Sequence, residues 1–332
     1  MRALTYAAHG RPVDVLRLDD LPTPAPGPGE VRVRLTHRPV HPSDLSAIRG
    51  TYGASRPLPA TAGNEGLGVV DAVGPDADSL GADVPAVGQR VVKLGDAPTW
   101  ADAVVLPAAD VWPVPDDVPD DAAAQLFVNA LTAVLLLEAA SGLAPGDVVV
   151  QTAGASTVAR CVTALAARRG LRTVAVVRSS LHATALAADG AAVVVADADA
   201  PEARAALADA VGPGGAAAVF DAVAGAAGAL ALSALADGGT HVVYGALSGQ
   251  PLAVPPSALI YRRAAVRGVW RSRWVAEAPR AEVVRRLDAL APLAAAGVLP
   301  LPVQARVPLA GWRDALAAAA APGRLGKVLL VG

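Results

Sequence analysis

A turn of small residues after a β-branched run is the first place where the sequence suggests chemistry. The run VVVQT at residues 148–152 leads into AGASTVA at residues 153–159. A dinucleotide-binding turn needs a residue that permits a tight bend, a small residue beside the pyrophosphate and a small residue where the helix packs on the strand. Gly154, Ser156 and Ala159 can meet these needs. Because an ordinary strand-to-helix turn has a similar sequence, the motif indicates a phosphate loop only within a suitable series of strands.

The end of the next β-branched run indicates which nicotinamide cofactor such a loop would serve. The run TVAVV at residues 173–177 is followed by Arg178, Ser179 and Ser180. An NAD site places an acidic residue here for the ribose 2′-hydroxyl, whereas an NADP site needs a cation and hydroxyls for the 2′-phosphate. From Arg178 to the residue before Asp189 there is no Asp or Glu. The sequence therefore predicts NADPH, and a solvated arginine at a strand end is the alternative.

Tyr52 is a candidate hydrogen-bond donor for catalysis. It lies in the short turn GTYG at residues 50–53. A phenol is a neutral donor at pH 7, so it can stabilise negative charge that develops on a substrate oxygen or pass on a proton. By residue type alone, the more ordinary role of a surface or packing tyrosine is favoured over a catalytic one.

The elements that would position these residues alternate regularly in the second half of the chain. Six apolar runs, separated by Ala-rich stretches typical of helices, are predicted as strands at residues 148–152, 173–177, 191–197, 217–223, 240–246 and 265–270. Buried parallel strands are continuous apolar runs, and their alternation with helices indicates a doubly wound sheet. The sequence therefore predicts an α/β fold with a six-stranded parallel sheet, and its first strand leads into the candidate phosphate loop.

The rest of the chain is predicted to form a second, mostly β domain. Short strands interrupted by turns occupy the N-terminal part, and the C-terminal part has a charged helix near residues 276–296, another helix and two strands. These last elements are too few to bury a core alone, so we expect them to join the N-terminal strands. The predicted domains are residues 1–126 with 273–332, and residues 127–272 as the inserted dinucleotide-binding domain.

Composition excludes several classes of function. The chain has 332 residues and a net charge of −2, which leaves no basic face for nucleic acid. Its longest apolar stretch, residues 222–236, is shorter than the roughly 18 residues of a membrane span, so no membrane partner is expected. A single cysteine, Cys161, excludes a disulfide framework and a multi-cysteine zinc site. Without a signal-like N-terminal segment, the sequence predicts a cytoplasmic enzyme for small molecules.

Seven segments resemble, in order, the zinc-independent medium-chain dehydrogenase/reductases, and within them the mitochondrial-type 2-enoyl thioester reductases. They are HPSDLSAIRGTYG (41–53), GNEG (63–66), APTW (97–100), VNALTA (128–133), VVRSS (176–180), VVYGALSGQP (242–251) and GVWRSRW (268–274). The resemblance spans essentially the whole chain. It implies a Rossmann domain for NADPH inserted in a GroES-like catalytic domain, and a homodimer formed through the last strand of the sheet, near residues 265–270.

The resemblance also implies an activity, the reduction by NADPH of the C2=C3 double bond of a 2-enoyl-CoA or enoyl-carrier-protein thioester. Hydride reaches the β-carbon and negative charge develops on the carbonyl oxygen. The catalytic tyrosine of the family matches Tyr52, which would stabilise the enolate oxygen or relay a proton. One alternative is an NADPH:quinone or enone reductase, since quinone reductases have a similar turn. Another is a catalytically silent NADPH-binding protein, since Thr157 and Ala159 replace glycines of the family's phosphate loop.

The same matching assigns cofactor contacts and leads us to expect no catalytic metal. The implied cofactor-binding residues are Asn129, Gly154, Ala155, Ser156, Thr157, Val158, Arg178, Ser179, Ser180, Tyr244, Gly245, Ala246, Leu247, Val269, Trp270, Arg271 and Lys327. Catalytic zinc needs three protein ligands, whereas the positions that match those of alcohol dehydrogenases offer His41, Asn64 and no cysteine. His41 replaces a residue that is commonly Asn; we expect an ordinary hydrogen-bonded histidine, with a donor near the substrate mouth as the alternative.

Overall fold

The first and last parts of the chain form one structural unit, and the middle part forms another. The computed structural model describes residues 1–54, 56–75, 84–195 and 197–332. Unit 1 comprises Met1–Val128, Val275–Gly297 and Leu301–Gly332. Unit 2 comprises Asn129–Trp274 and Val298–Pro300.

The strands in the described residues alternate with helices in the middle of the chain and cluster at its two ends. In chain order they are β1 (Arg2–Tyr6), β2 (Arg17–Asp20), β3 (Glu30–Pro39), β4 (Ala60–Thr61), β5 (Leu67–Val73), β6 (Arg90–Lys93), β7 (Ala103–Pro107), β8 (Val111–Pro113), β9 (Val148–Gln151), β10 (Arg172–Val177), β11 (Ala191–Val195), β12 (Ala216–Asp221), β13 (Leu235–Val243), β14 (Ala265–Gly268), β15 (Val303–Pro308) and β16 (Lys327–Val331).

The α-helices are mostly short. In chain order they are α1 (Pro12–Val15), α2 (Pro42–Arg49), α3 (Asp120–Ala123), α4 (Leu131–Ala139), α5 (Thr157–Ala167), α6 (Ala183–Ala188), α7 (Ala203–Val211), α8 (Gly225–Ser233), α9 (Pro256–Ile260), α10 (Arg271–Glu277), α11 (Arg280–Ala295) and α12 (Trp312–Ala320). A π-helical turn, Leu126–Ala130, precedes α4. Within the described part of the chain, none of the helices has the length and apolar character that crossing a membrane requires.

Unit 2 contains a parallel sheet of six strands in the order β11-β10-β9-β12-β13-β14. Every neighbouring pair in it is parallel. Strand β9 is buried along its whole length, as expected for a strand with helices on both faces of its sheet. Val150, Val174, Val219 and Leu207 belong to the main core of this unit. The predicted fold class is therefore confirmed.

Several predicted elements of the later chain have other bounds in the structure. Strand β13 begins at Leu235 rather than at residue 240, because the chain pairs with β12 through a register shift before the glycine pair that suggested a turn. The charged helix predicted near residues 276–296 is divided into α10 and α11 at Pro279, whose ring nitrogen has no hydrogen to donate. The strand predicted at 191–197 ends at Val195, and Ala196 lies outside the described residues.

Unit 1 is mostly β, as predicted. Its larger sheet has the order β15-β16-β3-β5-β6-β8, and β7 also pairs with β3; β2, β1 and β4 form a separate three-stranded sheet. Among the described strand pairs of the larger sheet, only β15 and β16 are parallel. Three tryptophans, Trp100, Trp112 and Trp312, are among the unit's largest fully buried side chains. Arg38 of β3 is buried too, and it donates to the carbonyl oxygens of Ala101 (2.8 Å) and Leu35 (2.7 Å).

Candidate active site

The turn between β9 and α5 has the close packing that a phosphate loop requires. A Cβ on Gly154 would lie 2.6 Å from the Cβ of Ala175 and 2.9 Å from its Cα, so only glycine fits against β10 here. Ser156 caps α5, and its Oγ accepts a hydrogen bond from the N–H of Ala159 at 3.2 Å. The first N–H groups of an α-helix have no partner within the helix and favour an anion. Thr157 and Val158 start α5, so this turn fits a pyrophosphate.

The segment after β13 lies against the same turn. The phenol of Tyr244 is hydrogen-bonded to the Ser156 hydroxyl. Burial raises the pKa of Tyr244 above its ordinary value, and the bond to Ser156 offsets only part of that rise, so the phenol stays a neutral donor. Gly245 leaves no room for a side chain, since a Cβ would lie 2.7 Å from the carbonyl oxygen of Ala222. Residues 244–247, all predicted cofactor contacts, are therefore held beside the phosphate loop.

Residues 178–180 follow the carboxyl end of β10, which is the neighbour of β9. Arg178, Ser179 and Ser180 are all exposed. The Oγ of Ser179 accepts from the N–H of Leu181 at 3.2 Å and so shapes this turn. Asp189, the next acidic residue, is paired with Arg160. A cation and hydroxyls are thus available at the position where a 2′-phosphate would bind, without a competing carboxylate in the segment.

The other predicted cofactor residues lie on different elements. Asn129 is buried in the π-helical turn at the start of unit 2. Val269 continues β14, and its N–H donates to the carbonyl oxygen of Val243 at 2.9 Å; Trp270 and Arg271 follow it at the start of α10. Lys327, in contrast, belongs to unit 1, where it is the buried first residue of β16. The structure therefore places all the predicted cofactor residues except Lys327 in unit 2.

Tyr52 lies in unit 1, just after α2. The helix ends at Gly50, whose φ of 76° is a left-handed conformation that favours glycine. A Cβ on Gly50 would also lie 2.8 Å from the ring of His9. Tyr52 is half-buried in the following turn. This helix ending sets the direction in which the chain reaches Tyr52.

A buried set of charged and polar groups lies around the start of α2. The Nε2 of His41 is 2.7 Å from the Oε2 of Glu65, and both residues are buried. The other oxygen of Glu65 accepts from the N–H of Val128 at 2.6 Å. Lys93 donates to the carbonyl oxygen of Asn64 at 2.9 Å. His41 is therefore a buried histidine that is hydrogen-bonded within unit 1. This agrees with the expectation of an ordinary hydrogen-bonded histidine.

Several groups of possible functional importance were not singled out from the sequence. They are Asp44, Glu65 and Lys93 in unit 1, and Thr152, Asp221 and His241 in unit 2, all of them buried. Glu65 is part of GNEG, one of the seven segments that carry the resemblance, so a signal for it existed. The others are scattered along the chain, and Thr152, Asp221 and His241 come together only because β9 and β13 each pair with β12.

The donor set near His41 does not fit a catalytic zinc ion. Among the residues that the structure describes, there is no group of three or more His, Cys, Asp or Glu side chains that could hold a metal. The matched positions offer one imidazole and the Asn64 amide, and the His41 ring is already bonded to Glu65. Three protein ligands are the norm for catalytic zinc. The matched positions therefore lack the ligand set of a catalytic zinc site.

Comparison with known proteins identifies the family. The alcohol dehydrogenase GroES-like domain matches residues 27–116, and the zinc-binding dehydrogenase domain matches residues 157–289. The mitochondrial enoyl-[acyl-carrier-protein] reductase of Xenopus tropicalis is 33% identical over 340 residues, which cover 99% of this chain and 95% of the relative. A mycobacterial quinone oxidoreductase structure is 30% identical, with a TM-score of 0.84 and complete coverage of both chains. A mycobacterial structure in complex with NADPH is also 30% identical over both complete chains, with a TM-score of 0.89.

The fold and the site define an oxidoreductase with a dinucleotide-binding unit and a mostly β, GroES-like unit. The chain belongs to the medium-chain dehydrogenase/reductase superfamily, as its sequence segments predicted.

Proposed function

We propose that this enzyme uses NADPH to reduce the C2=C3 double bond of 2-enoyl thioesters, carried on CoA or on an acyl carrier protein. The observation that carries the proposal is the similarity over 99% of the chain to a reductase named for an enoyl-carrier-protein substrate. The proposed cofactor rests on the chain's own residues, as well as on the NADPH-bound mycobacterial relative.

The pyrophosphate, the 2′-phosphate and the nicotinamide end of NADPH each have a chemically suitable group in unit 2. The N-terminal turn of α5, with Ser156, suits the pyrophosphate, and Arg178 with its neighbouring hydroxyls suits the 2′-phosphate. Asn129 can bond the nicotinamide ribose or carboxamide. Lys327, from its place in unit 1, retains the role of a proposed contact. When bound, the reduced nicotinamide supplies a hydride.

Tyr52 is the proposed catalytic residue. Addition of hydride to the β-carbon moves negative charge onto the thioester oxygen, so the enzyme must present a hydrogen-bond donor to that oxygen. The neutral phenol of Tyr52 can donate there, and it can also deliver a proton toward the α-carbon. Donation matters most when the charge is largest, which is why this contact would act on turnover more than on cofactor affinity.

A quinone or enone reductase is the second candidate, because the similarity to a mycobacterial quinone oxidoreductase also extends over the complete chain. Purified protein would be assayed for NADPH oxidation with crotonyl-CoA and with benzoquinone, and butyryl-CoA, which lacks the double bond, is the matched control. A higher kcat/KM for crotonyl-CoA, with formation of butyryl-CoA, is the expected result. Turnover of benzoquinone alone would favour the second candidate. NADPH binding without oxidation by either acceptor would favour a silent binding protein.

A second copy of this chain is the proposed partner. Strand β14 is the last strand of its sheet and pairs only with β13 among the described strands. Three apolar side chains on or near it are exposed: Ile260 (65%), Tyr261 (78%) and Val266 (38%). An edge strand beside exposed apolar residues is suited to pairing with another strand. We therefore propose a homodimer formed along β14.

A further inference from the structure

Asp221, at the carboxyl end of β12, is a buried carboxylate that the proposed reaction does not use. Its Oδ1 accepts hydrogen bonds from the Thr152 hydroxyl (2.7 Å) and from the N–H groups of Val223 (2.9 Å) and Ala224 (3.0 Å). Its Oδ2 lies 3.1 Å from the Nε2 of His241, and both side chains are fully buried. Burial by itself raises the pKa of Asp221, but the bonds from His241, Thr152 and the two N–H groups outweigh it and hold the pKa below its ordinary value. The group is therefore an ionised carboxylate with four donors.

These donors meet at the topological switch point of the sheet. Strands β9 and β12 are neighbours, and the chain proceeds from β9 toward β11 on one side and from β12 toward β14 on the other. Ligands of open α/β sheets bind in the crevice outside the carboxyl ends of such a pair. Thr152 follows β9, and its hydroxyl donates to Asp221 while it accepts from the N–H of Ala222 at 2.9 Å. The carboxylate thus joins the two strand ends at the base of the crevice.

The turn that Asp221 holds has an unusual backbone. Ala224 has φ 59° and ψ −155°, a conformation that is essentially restricted to glycine and is therefore strained for alanine. Such a conformation persists only where surrounding contacts impose it, and the bond from the Ala224 N–H to Asp221 is one of them. Gly228 of α8 lies so close that a Cβ there would clash with Oδ2 of Asp221. The helix therefore packs directly on the carboxylate.

The same turn supports the proposed cofactor segment after β13. The N–H of Tyr244 donates to the carbonyl oxygen of Asp221 at 2.9 Å. The N–H of Leu247 donates to the carbonyl oxygen of Ala222 at 3.0 Å, and the N–H of Ser248 donates to that of Val223 at 3.0 Å. Displacement of residues 222–224 would therefore displace residues 244–247 as well.

We propose that Asp221, with its donors Thr152 and His241, is a positioning residue that sets the shape of the NADPH crevice by holding the turn at residues 222–224. The inference rests on the proposed assignment of residues 244–247 to the cofactor. His241 contributes through Nε2, because its Nδ1 is buried and has no partner among the described residues. The bonds act on the backbone that surrounds the dinucleotide rather than on the 2′-phosphate.

The test compares Asp221→Asn with the wild type. The amide preserves the size of the side chain and one acceptor oxygen but removes the charge, so its hold on the donors is weaker. We expect the Kd values of NADPH and NADH to rise by similar factors of about ten, because hydrogen bonds to a charged group are stronger than those to a neutral amide and only part of their strength is lost. In the protein without cofactor, hydrogen exchange at the amides of Val223, Ala224 and Tyr244 should become faster.

Asp147→Asn is the matched control, because Asp147 is a partly exposed aspartate of unit 2 whose Oδ2 accepts from the N–H of Ala144 at 2.8 Å, and it precedes the amino end of β9, whereas Asp221 lies at the carboxyl end of β12. This variant should lose thermal stability without a change in either Kd. If Asp221→Asn fails to fold, Thr152→Val removes one donor at nearly constant volume and should produce a smaller change of the same kind.

Unchanged binding by a folded Asp221→Asn variant, or a loss confined to NADPH, would overturn the inference. If the wild type itself does not bind NADPH, the proposed assignment of the cofactor is wrong. The proposed role of Asp221 in shaping an NADPH crevice is then wrong as well. Hydrogen exchange in the unliganded protein would still show whether Asp221 holds the turn, so the two failures are distinguishable.

Discussion

Replacement of Asp44 by asparagine should change how the stability of this protein depends on pH. Asp44 is the third residue of α2 and is only 1% exposed. Its Oδ2 accepts from the N–H of His41 at 2.7 Å, while its Oδ1 is buried without a partner among the described residues. Burial raises the pKa of Asp44 from 3.8 to about 6, although the bond from His41 and the charges of Arg56, Lys327 and Lys93 act in the opposite direction.

The direction of the effect follows from proton linkage. Because the pKa of Asp44 is higher in the folded state than in the unfolded chain, the folded protein binds a proton between about pH 4 and pH 6 that the unfolded chain has released. The resulting stabilisation is complete below about pH 4 and is lost as the pH rises through about 6. A rise of about two pKa units at about 1.4 kcal/mol each corresponds to roughly 3 kcal/mol. Asparagine does not titrate, so this contribution disappears in Asp44→Asn.

The measurement is the free energy of unfolding by urea at several pH values between about 4 and 8, taken as the difference between wild type and Asp44→Asn. The contributions of all other titrating groups cancel in that difference. As the pH rises from about 4 to 8, the free energy of unfolding of the wild type should fall by about 3 kcal/mol relative to that of the variant. Asp117→Asn is the control, because Asp117 is exposed, and this variant should follow the wild type. A difference that stays constant with pH would refute the argument that burial controls Asp44.

Three further predictions test the proposed site and assembly. Tyr52→Phe should lower kcat about 100-fold or more with little change in the Kd of NADPH. The control Tyr261→Phe replaces an exposed tyrosine and should have the kcat of the wild type. Equal kcat values for all three proteins would remove Tyr52 from the mechanism. Arg178→Ala should raise the Kd of NADPH about 10- to 100-fold and that of NADH far less, and equal losses would contradict the phosphate assignment. Ile260→Glu should change the sedimentation coefficient from that of a dimer to that of a monomer. The control Val87→Glu, at another exposed apolar residue, should leave the dimer intact. A dimeric Ile260→Glu protein would exclude β14 as the interface.

Local patterns made the sheet of unit 2 predictable. The runs around Val148, Arg172 and Ala216 are short, apolar and separated by helical stretches, and each is a strand of the parallel sheet. A parallel strand buried on both faces must be apolar at consecutive positions, so its sequence alone reveals it. The confirmed fold class rests on such local signals. The confirmed family rests on the seven segments that carry the resemblance.

Element ends were less predictable, because they depend on neighbours. Strand β13 begins before Gly238 and Gly239, since pairing with β12 holds residues that resemble a turn in isolation. The sequence near residues 276–296 predicted one helix, but Pro279 separates α10 from α11. In both places a backbone hydrogen bond, formed or missing, determined the boundary.

The candidate site divides in the same way. A small-residue turn, a cation after the second strand and a tyrosine between glycines are local properties, so the sequence alone determined which cofactor and which donor to propose. Only the tertiary structure decided that His41 pairs with Glu65 and that Asp221 joins Thr152 to His241. The physical reason is that these partners are 20 to 69 residues apart along the chain and meet through strand pairing, whose register depends on the packing of the whole unit.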